Sequence, residues 1–448
     1  MFASALKKEE SIKLIGVILI GASILSIYGI YQYLWGFEHT KEYLNLHSKY
    51  ILETSYIKEI FITKRSIASF FSPNMFASYL VMAIPLCAGL ILDNTKNKKL
   101  CLSLSLCLIS MLTALLFTKS LAGWTSLSFG VIVFFILLRR FPRRITLIVS
   151  MFILVLPFFL LLLRYNMFIN FANQQNTILQ RLSFWRSTSQ IIKDFPLKGI
   201  GLGNLGNIYP KYIELLGNET RFAHNIFLQT WAETGLLGII SIVLLIWVFI
   251  KRSFRLEKNH FNAGLITSCY IFIINNLFDF SYFIPQVSHL WWISLGIISQ
   301  KSITASDNKG NNRIRPFILI IILLTIYFNT KSLAALRCFQ KGEYKKAISL
   351  EPYNDLYHIR INDYRKAISL NPYSPFYHKN LGMLYLNNNR IEDAISELEK
   401  ASAFYPANEA LHKKLFELYI RIGETEKAAK EEIKIQEFYS KYSGYFIR

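Results

Sequence analysis

Nine apolar stretches, most of them about 20 residues long, alternate with short loops and one long polar segment in this chain. They lie near residues 14–35, 69–92, 100–118, 121–138, 145–164, 225–250, 262–280, 285–300 and 314–330. A helix needs about 20 apolar residues to cross the hydrocarbon core of a bilayer, so each stretch is a candidate membrane span. The sequence therefore predicts an all-α, multi-pass transmembrane helical bundle of about nine spans.

The composition is typical of a membrane protein rather than a soluble one. Of the 448 residues, 52% are hydrophobic and only 18% are charged, which is more apolar than an ordinary soluble domain. The formal net charge of +21 would suit nucleic acid, but the lysines and arginines cluster in short loops between apolar stretches. We therefore expect no nucleic-acid partner. The five cysteines show no paired spacing, so neither a disulfide framework nor a metal site is expected.

The basic loops predict the orientation of the spans. Every second loop carries several lysines or arginines, at 96–99, 139–144, 251–258 and 301–315, and such loops stay in the cytoplasm. The N-terminus is then cytoplasmic, and the first apolar stretch is expected to be a retained signal anchor. The polar segment before residue 225 and the whole C-terminal segment face the outside, where neither ATP nor nucleotide-sugars are available.

A polar, glycine-rich segment at 181–238 interrupts the apolar stretches and contains Arg181, Arg186, Arg221 and His224. Planar guanidinium groups bind phosphate or diphosphate bidentately, and a neutral imidazole can accept a proton near pH 7. These residues therefore predict a site for an anionic ligand at the edge of the membrane. The alternative is that the arginines extend to lipid headgroups and that the histidine is an interfacial or helix-capping residue.

Other polar features of the segment have structural or functional interpretations. The sequence GLGNLG at 201–206 matches a dinucleotide-binding pattern, but no buried strand precedes it, so a nicotinamide or flavin site is not expected. Its glycines instead predict a tight turn or a close backbone approach. Glu233 lies within the sixth apolar stretch, where a carboxylate needs a partner or a function. Asp279, near the outer end of the seventh stretch, invites the same argument.

After residue 330 the sequence changes to a soluble helical pattern with an internal repeat. The tetratricopeptide spacing is matched by Leu381, Gly382, Tyr385, Ala394, Leu398, Ala401 and Pro406, and most of it recurs 34 residues later. The similar segments 343–352 and 363–372 are closer together, which indicates a truncated repeat between them. We expect residues 331–448 to form a helical solenoid that binds a peptide or protein. Alternatively, it is a structural cap that binds nothing.

Five motifs carry a resemblance to a known family. They are SPNMFASYL (72–80), TKSLAGWTSL (118–127), RLSFWRSTSQIIKDFPLKGIGLGNL (181–205), HNIFLQTWAETGLLG (224–238) and LFDFSYFIP (277–285). Together they resemble the O-antigen ligase and O-antigen polymerase superfamily of bacterial membrane glycosyltransferases, which includes pilin-type O-oligosaccharyltransferases. The resemblance covers residues 14–300, and the third and fourth motifs are the most specific.

The resemblance implies transfer of a glycan from an undecaprenyl diphosphate carrier at the outer face of the bacterial cytoplasmic (inner) membrane. At the matching positions it implies that Arg181 binds the lipid diphosphate and that His224 activates the acceptor hydroxyl. The further candidate substrate-binding residues are Arg186, Arg221, Lys119, Asn225 and Glu233. The family often has Ser-Arg-Gly where this chain has Ser120, Leu121, Ala122 and Gly123, so the expected arginine is missing and Lys119 stands beside its place.

The sequence thus predicts two domains: an O-antigen ligase-like transmembrane domain at 1–330, with its active site on an external loop at 165–224, and the repeats at 331–448. Transfer requires stabilisation of the departing diphosphate and a base near the acceptor oxygen, and we expect no metal or other cofactor. The acceptor could be lipid A core, another glycan or a protein. Two alternatives stay open: a protein O-oligosaccharyltransferase whose repeats recruit the polypeptide, and a non-catalytic scaffold that gathers envelope-assembly partners.

Overall fold

The structure is a computed structural model that describes residues 7–47, 61, 63–138, 177–214, 217–257, 259–300 and 315–446. In these ranges every regular element is a helix or a helical turn, so the all-α class is confirmed for them. In chain order the helices are α1 (Lys8–Tyr31), α2 (Phe37–His47), α3 (Pro73–Asp93), α4 (Lys98–Thr118), α5 (Leu121–Leu138), α6 (Thr177–Asp194), α7 (Leu205–Ile208), α8 (Ile226–Arg255), α9 (His260–Asn275), α10 (Pro285–Gln300), α11 (Arg315–Gln340), α12 (Tyr344–Leu350), α13 (Asp355–Ile359), α14 (Tyr364–Leu370), α15 (Pro375–Asn387), α16 (Ile391–Phe404), α17 (Glu409–Ile422) and α18 (Thr425–Phe446).

Five helical stretches of the described residues are long and apolar enough to cross a membrane. They are the continuous stretch Lys8–Tyr43, α3, α4, α5 and α8, and each coincides with a predicted apolar stretch. The predicted span at 145–164 lies outside the described residues, and α9 and α10 have only 16 residues each. Helix α11 continues past the predicted end at Thr330 to Gln340. The predicted number of nine spans is therefore not confirmed.

The chain forms two compact units, and the first comprises residues 1–169, 224–227 and 240–304. Helix α3 lies at its centre and is buried on all sides, with Phe76, Leu80 and Leu86 fully inaccessible, as expected for a helix that is apolar all round. It begins where the Ser72 hydroxyl accepts a hydrogen bond from the Met75 N–H at 3.2 Å, a favoured N-terminal cap. Helices α4, α5 and α9 pack around it.

Four polar side chains, which we call the Asn275 cluster, join the helices inside the first unit. The amide nitrogen of Asn275, on α9, donates to the hydroxyl of Ser78 on α3 at 2.7 Å and to that of Ser281 at 3.0 Å. The hydroxyl of Ser126, on α5, donates to the amide oxygen of Asn275 at 3.2 Å. Hydrogen bonds of this kind hold apolar helices together where water is absent.

The second unit comprises residues 170–223, 228–239 and 305–448. It contains α6, the glycine-rich segment, part of α8 and the repeat helices. Helix α13 has only five residues, whereas α15 has 13 and α17 has 14. This short helix lies between the segments 343–352 and 363–372, so the predicted truncated repeat is confirmed.

Three histidines occupy equivalent positions in successive repeats. The Nε2 atoms of His358, His378 and His412 lie 3.0, 3.1 and 2.9 Å from the carbonyl oxygen of the proline six residues earlier. In addition, Nδ1 of His378 lies 2.6 Å from a Glu397 oxygen, and Nδ1 of His412 lies 2.5 Å from a Glu431 oxygen. Each of these two imidazoles therefore joins a proline carbonyl to a carboxylate of the following helix.

These pairs predict an acid-sensitive repeat domain. Burial acts to raise the pKa of Glu431, but hydrogen bonds from His412 and Lys434 outweigh it, so its pKa is lowered. A carboxyl whose pKa is lowered by folding contributes stability above its unfolded pKa, about 4.3, and the contribution is lost as pH falls through the folded pKa. We expect fragment 331–448 to be helical with a cooperative melt at pH 7, and to lose stability steeply below about pH 4.

The Glu431→Gln fragment should be less stable than wild type by about 1–3 kcal/mol at pH 7 and should lose less stability in acid. Thermal melts between pH 7 and pH 3 measure both effects. Glu432→Gln is the matched control, because Glu432 is the next residue and is exposed. Equal pH profiles for the two variants would contradict the assigned pair, and a disordered wild-type fragment would contradict independent folding.

Candidate functional site

His224 lies two residues before α8 and faces a buried carboxylate. Its Nδ1 is 3.8 Å from Oδ1 of Asp279, and the two side chains are 22% and 2% exposed. The imidazole also meets the ring of Phe280 edge to face, with 4.7 Å between ring centroids. The backbone φ of His224 is 52°, a left-handed conformation that non-glycine residues rarely adopt and that recurs at functional sites.

The paired histidine and carboxylate can act as a general base. An imidazole accepts a proton from a hydroxyl, and a neighbouring carboxylate orients the ring and stabilises the imidazolium that forms. The 3.8 Å separation of His224 and Asp279 is longer than a hydrogen bond. Catalytic hydrogen bonds often shorten only when substrate binds, so this spacing is compatible with the role.

Hydrogen bonds between the start of α8 and the turn after α9 explain why His224 and Asp279 meet. The Ile226 N–H donates to the carbonyl oxygen of Asn276 at 2.9 Å. The side chain of Asn225 caps α8 by accepting from the Phe227 N–H at 2.9 Å and donates to the carbonyl oxygen of Leu277 at 3.1 Å. Asn225 therefore has a structural role here, and its predicted contact with substrate stays a prediction.

Helix α6 carries Arg181 and Arg186 and borders a groove of about 370 Å³. An ion pair at 3.5 Å joins Nη1 of Arg186 to Oε1 of Glu214. Arg181 precedes Trp185 by four residues, so the two lie on neighbouring turns of one helix face. The groove is lined by Leu182, Trp185, Arg186, Ser189, Gln190, Lys193 and Glu214.

Glu233 has hydrogen-bond partners within the protein, one of the two outcomes expected for a carboxylate in an apolar stretch. Its side chain is buried at 4% exposure and accepts from the amide of Gln229 at 2.6 Å and from the backbone N–H groups of Gly203 and Leu205. The amide oxygen of Gln229 in turn accepts from the Ala223 N–H at 2.6 Å. Glu233 therefore holds the glycine-rich segment directly and the backbone of Ala223 through Gln229. Its predicted contact with substrate stays a prediction.

The glycine-rich segment runs against the first turns of α8, as its composition predicted. Gly199 and Gly235 both have positive φ, 67° and 68°, and a Cβ on Gly199 would lie 2.6 Å from the backbone of Glu233. The helical conformation of α8 is interrupted at Gly235, where ψ is −160°. Backbone hydrogen bonds join the two segments, from Leu236 to Leu197 at 3.2 Å, from Ile200 to Ala232 at 2.9 Å and from Gly201 to Glu233 at 2.9 Å.

Lys119 ends α4 in a left-handed conformation, with φ of 50°, and so separates α4 from α5 at the predicted break. Its Nζ donates to the carbonyl oxygen of Thr63 at 2.8 Å. Ser120, the next residue, donates from its hydroxyl to the amide oxygen of Asn74 at 2.9 Å. The predicted role of Lys119 in binding substrate stays a prediction.

Arg65 brings a guanidinium to the junction of α4 and α5. The expected family arginine is missing from this junction, at Leu121. The Nη2 of Arg65 donates to the Asn74 amide oxygen that Ser120 also contacts, and its Nε donates to the carbonyl oxygen of Thr118, both at 2.9 Å. Sequence reasoning did not find Arg65, because it belongs to the loop before the second apolar stretch and has no motif of its own. Asn74, which lies within the motif SPNMFASYL, is the sequence feature that points to this place.

The predicted site residues divide between the two units. His224, Asn225 and Lys119 belong to the first unit, and Arg181, Arg186, Arg221 and Glu233 belong to the second. The structure brings His224 together with Asp279, which the sequence had indicated only separately. Among the residues that the structure describes, no three His, Cys, Asp or Glu side chains are grouped so that they could hold a metal ion.

Comparison with known families matches residues 106–243 to O-antigen ligase and residues 363–396 to a tetratricopeptide repeat. The first match contains Lys119, the arginines of α6, Arg221, His224 and Glu233. Both resemblances stated from the motifs are therefore confirmed. Together with the apolar helices, they identify a multi-pass membrane protein.

Two curated relatives match part of the chain. A protein of Rickettsia conorii is 30% identical over 132 residues, and one of Rickettsia felis is 28% identical over 137 residues. Both carry the name "putative polysaccharide ligase". The matches cover 28% of this chain and 30% and 31% of the relatives, so the chain spans less than a third of their length. No solved structure matches.

Proposed function

We propose that this multi-pass membrane protein, with its O-antigen ligase domain and tetratricopeptide repeats, transfers a glycan from an undecaprenyl diphosphate carrier to an acceptor hydroxyl. The observation that carries the proposal is His224 facing the buried carboxylate of Asp279. The family match over residues 106–243 and the polysaccharide ligase names of the two relatives support the same reaction class. The reaction contributes to the assembly of cell-surface polysaccharide, such as lipopolysaccharide.

The chemistry can be assigned to residues of this chain. The acceptor oxygen attacks the anomeric carbon of the glycan while His224 takes the hydroxyl proton. The bond between that carbon and the phosphate oxygen breaks, and undecaprenyl diphosphate leaves with the electron pair. Arg181 is assigned to stabilise the charge of the leaving diphosphate, because a guanidinium keeps its own charge at any working pH.

We assign the groove beside α6 as the place where the sugar end of the donor binds. A concave surface that combines an aromatic ring with a few convergent polar groups is typical of a ligand site, and Trp185, Ser189 and Gln190 provide these. Arg186 and Lys193 add two positive charges to the same groove, and Glu214, which pairs with Arg186, adds one negative charge. Arg181 lies one turn before Trp185, so one helix can contact both the diphosphate and the first sugars.

Binding of the lipid-linked donor tests the assignment of Arg181. Arg181→Ala should weaken donor binding by about 10- to 100-fold, because a charge-assisted contact is lost. Arg181→Lys should restore it only in part, since the bidentate fork is absent. Binding of a lipid-linked glycan to the purified protein measures both, with the exposed repeat residue Arg421→Ala as control. Wild-type affinity in Arg181→Ala would instead favour an arginine that contacts lipid headgroups.

The repeats support a second candidate, a protein O-oligosaccharyltransferase that uses them to recruit a polypeptide acceptor. The reaction at the donor would be the same, and only the source of the hydroxyl would differ. The missing arginine at Leu121 would favour the scaffold alternative. The guanidinium of Arg65 beside Ser120 weakens that argument, because positive charge reaches this place from another segment.

A further inference from the structure

The tetratricopeptide repeats contact the loop that carries Arg221, inside the second unit. The phenol of Tyr405, which follows α16, donates a hydrogen bond to Oε1 of Glu219 at 2.6 Å. Tyr405 and Ala407 also pack against the apolar cluster of α6 and the glycine-rich segment, which includes Phe184, Ile191, Leu205, Ile208 and Tyr209. The contact therefore combines burial of apolar surface with one charge-assisted hydrogen bond.

Arg221 lies two residues after Glu219, is exposed and packs against Gly206. Its side-chain stem crosses Gly206, where an added Cβ would lie 3.0 Å from Cγ and 3.2 Å from Cα of Arg221. Its charge is near enough to the phenol of Tyr377, on α15, to interact with it electrostatically. Tyr377 donates to Oδ2 of Asp355 at 2.9 Å, so a repeat residue whose position is fixed lies near Arg221.

The phenol of Tyr405 remains a donor throughout the working pH range. Burial first, and the carboxylate of Glu219 second, raise the pKa of Tyr405 well above its usual value. Its ring packs against the apolar cluster whether or not the hydroxyl is present. A Tyr405→Phe substitution therefore removes the hydrogen bond and leaves most of the packing, which separates the two contributions.

We propose that the repeats form part of the transfer site, with Tyr405 as a positioning residue that fixes Arg221 through Glu219. The inference rests on the proposed transfer reaction and on the predicted contact of Arg221 with the anionic donor. Gly206 and the Tyr405–Glu219 bond set the direction in which the guanidinium leaves the loop. The repeats then do more than recruit a partner, because the loop depends on them for its conformation.

The test uses the full-length protein in detergent and compares Tyr405→Phe and Glu219→Gln with wild type. The matched control is Tyr353→Phe, a repeat tyrosine that is 84% exposed. Trypsin cleavage after Arg221 should become about 10-fold faster in both test variants, whereas the melting temperature and the control should hardly change. The KM for a lipid-linked glycan donor should rise about 10-fold with little change in kcat.

The double variant tests whether Tyr405 and Glu219 act through the same hydrogen bond. If the two side chains act through one hydrogen bond, the double variant Tyr405→Phe with Glu219→Gln should show the same cleavage rate and the same KM as either single variant. Additive effects, wild-type cleavage in Tyr405→Phe, or faster cleavage with an unchanged KM would each overturn the proposal. If the wild-type protein transfers no glycan, the proposed function fails, and the cleavage rates still decide whether Tyr405 fixes the loop.

Discussion

Replacing His224 with alanine should lower the turnover of glycan transfer by about 10²- to 10⁴-fold, the usual contribution of a general base, and leave donor binding nearly unchanged. The reason is that the imidazole acts on the acceptor proton and not on the diphosphate. Donor affinity and the single-turnover transfer rate, measured separately on purified protein, distinguish the two steps. Undiminished turnover in His224→Ala would rule out the assigned mechanism.

Asp279→Asn should reproduce part of this loss, because an amide neither stabilises the imidazolium nor selects the same ring tautomer. Combining His224→Ala with Asp279→Asn should add little, since residues that act as a unit are not additive. The chain offers a matched control in His260 and Asp93, whose Nδ1 and Oδ1 atoms are 2.8 Å apart. His260→Ala removes a histidine that is also paired with an aspartate and should keep nearly full turnover.

Gly235→Ala should be the most damaging single change to the fold of the candidate site. The residue combines φ of 68° with ψ of −160°, a region that is almost restricted to glycine. An added Cβ would overlap the carbonyl oxygen of Leu197, which accepts the Leu236 N–H. Backbone strain of about 1–3 kcal/mol and the loss of the hydrogen bond between Leu236 and Leu197 should together lower the yield of folded protein and its melting temperature in detergent.

Substitutions at two other glycines distinguish the effect of backbone strain from the effect of steric overlap. Gly203 also has positive φ, 75°, but a Cβ there would meet no atom within 4 Å, so Gly203→Ala should show the strain alone. Gly16 lies in α1 with no atom within 4 Å of an added Cβ, and Gly16→Ala should be neutral. Melting temperatures that do not fall in the order Gly16, Gly203, Gly235 would contradict the close approach described for α8.

Local sequence patterns predicted much of the fold. The turn at Lys119 and the short helix α13 follow from a break in apolar composition and from repeat spacing, both of which are encoded within a few tens of residues. The glycines of 201–206 likewise indicated a close backbone approach. What they approach could not be predicted, because the partner segment, the start of α8, is specified by tertiary packing.

The site was predictable only as separate residues. Asp279 and His224 were each singled out, yet the sequence gives no reason for them to meet, since the hydrogen bonds of Asn225 and Ile226 that join them are backbone and amide contacts without a motif. Arg65 was missed for the same reason. The contact of Tyr405 with Glu219 joins parts of the chain that composition alone assigns to different domains.

The Asn275 cluster has a consequence for the depth at which His224 lies in the bilayer. Apolar helix faces do not by themselves fix how far one helix is displaced along its neighbour, because hydrocarbon solvates each face equally well. A slip by one turn, about 5.4 Å, would carry Ser78 and Ser126 out of reach of Asn275. Asn276, the next residue, accepts the Ile226 N–H that begins α8. These hydrogen bonds therefore fix how far α3, α5 and α9 are displaced along one another. Through Asn276 they also fix the start of α8, and with it the depth of His224 along the membrane normal.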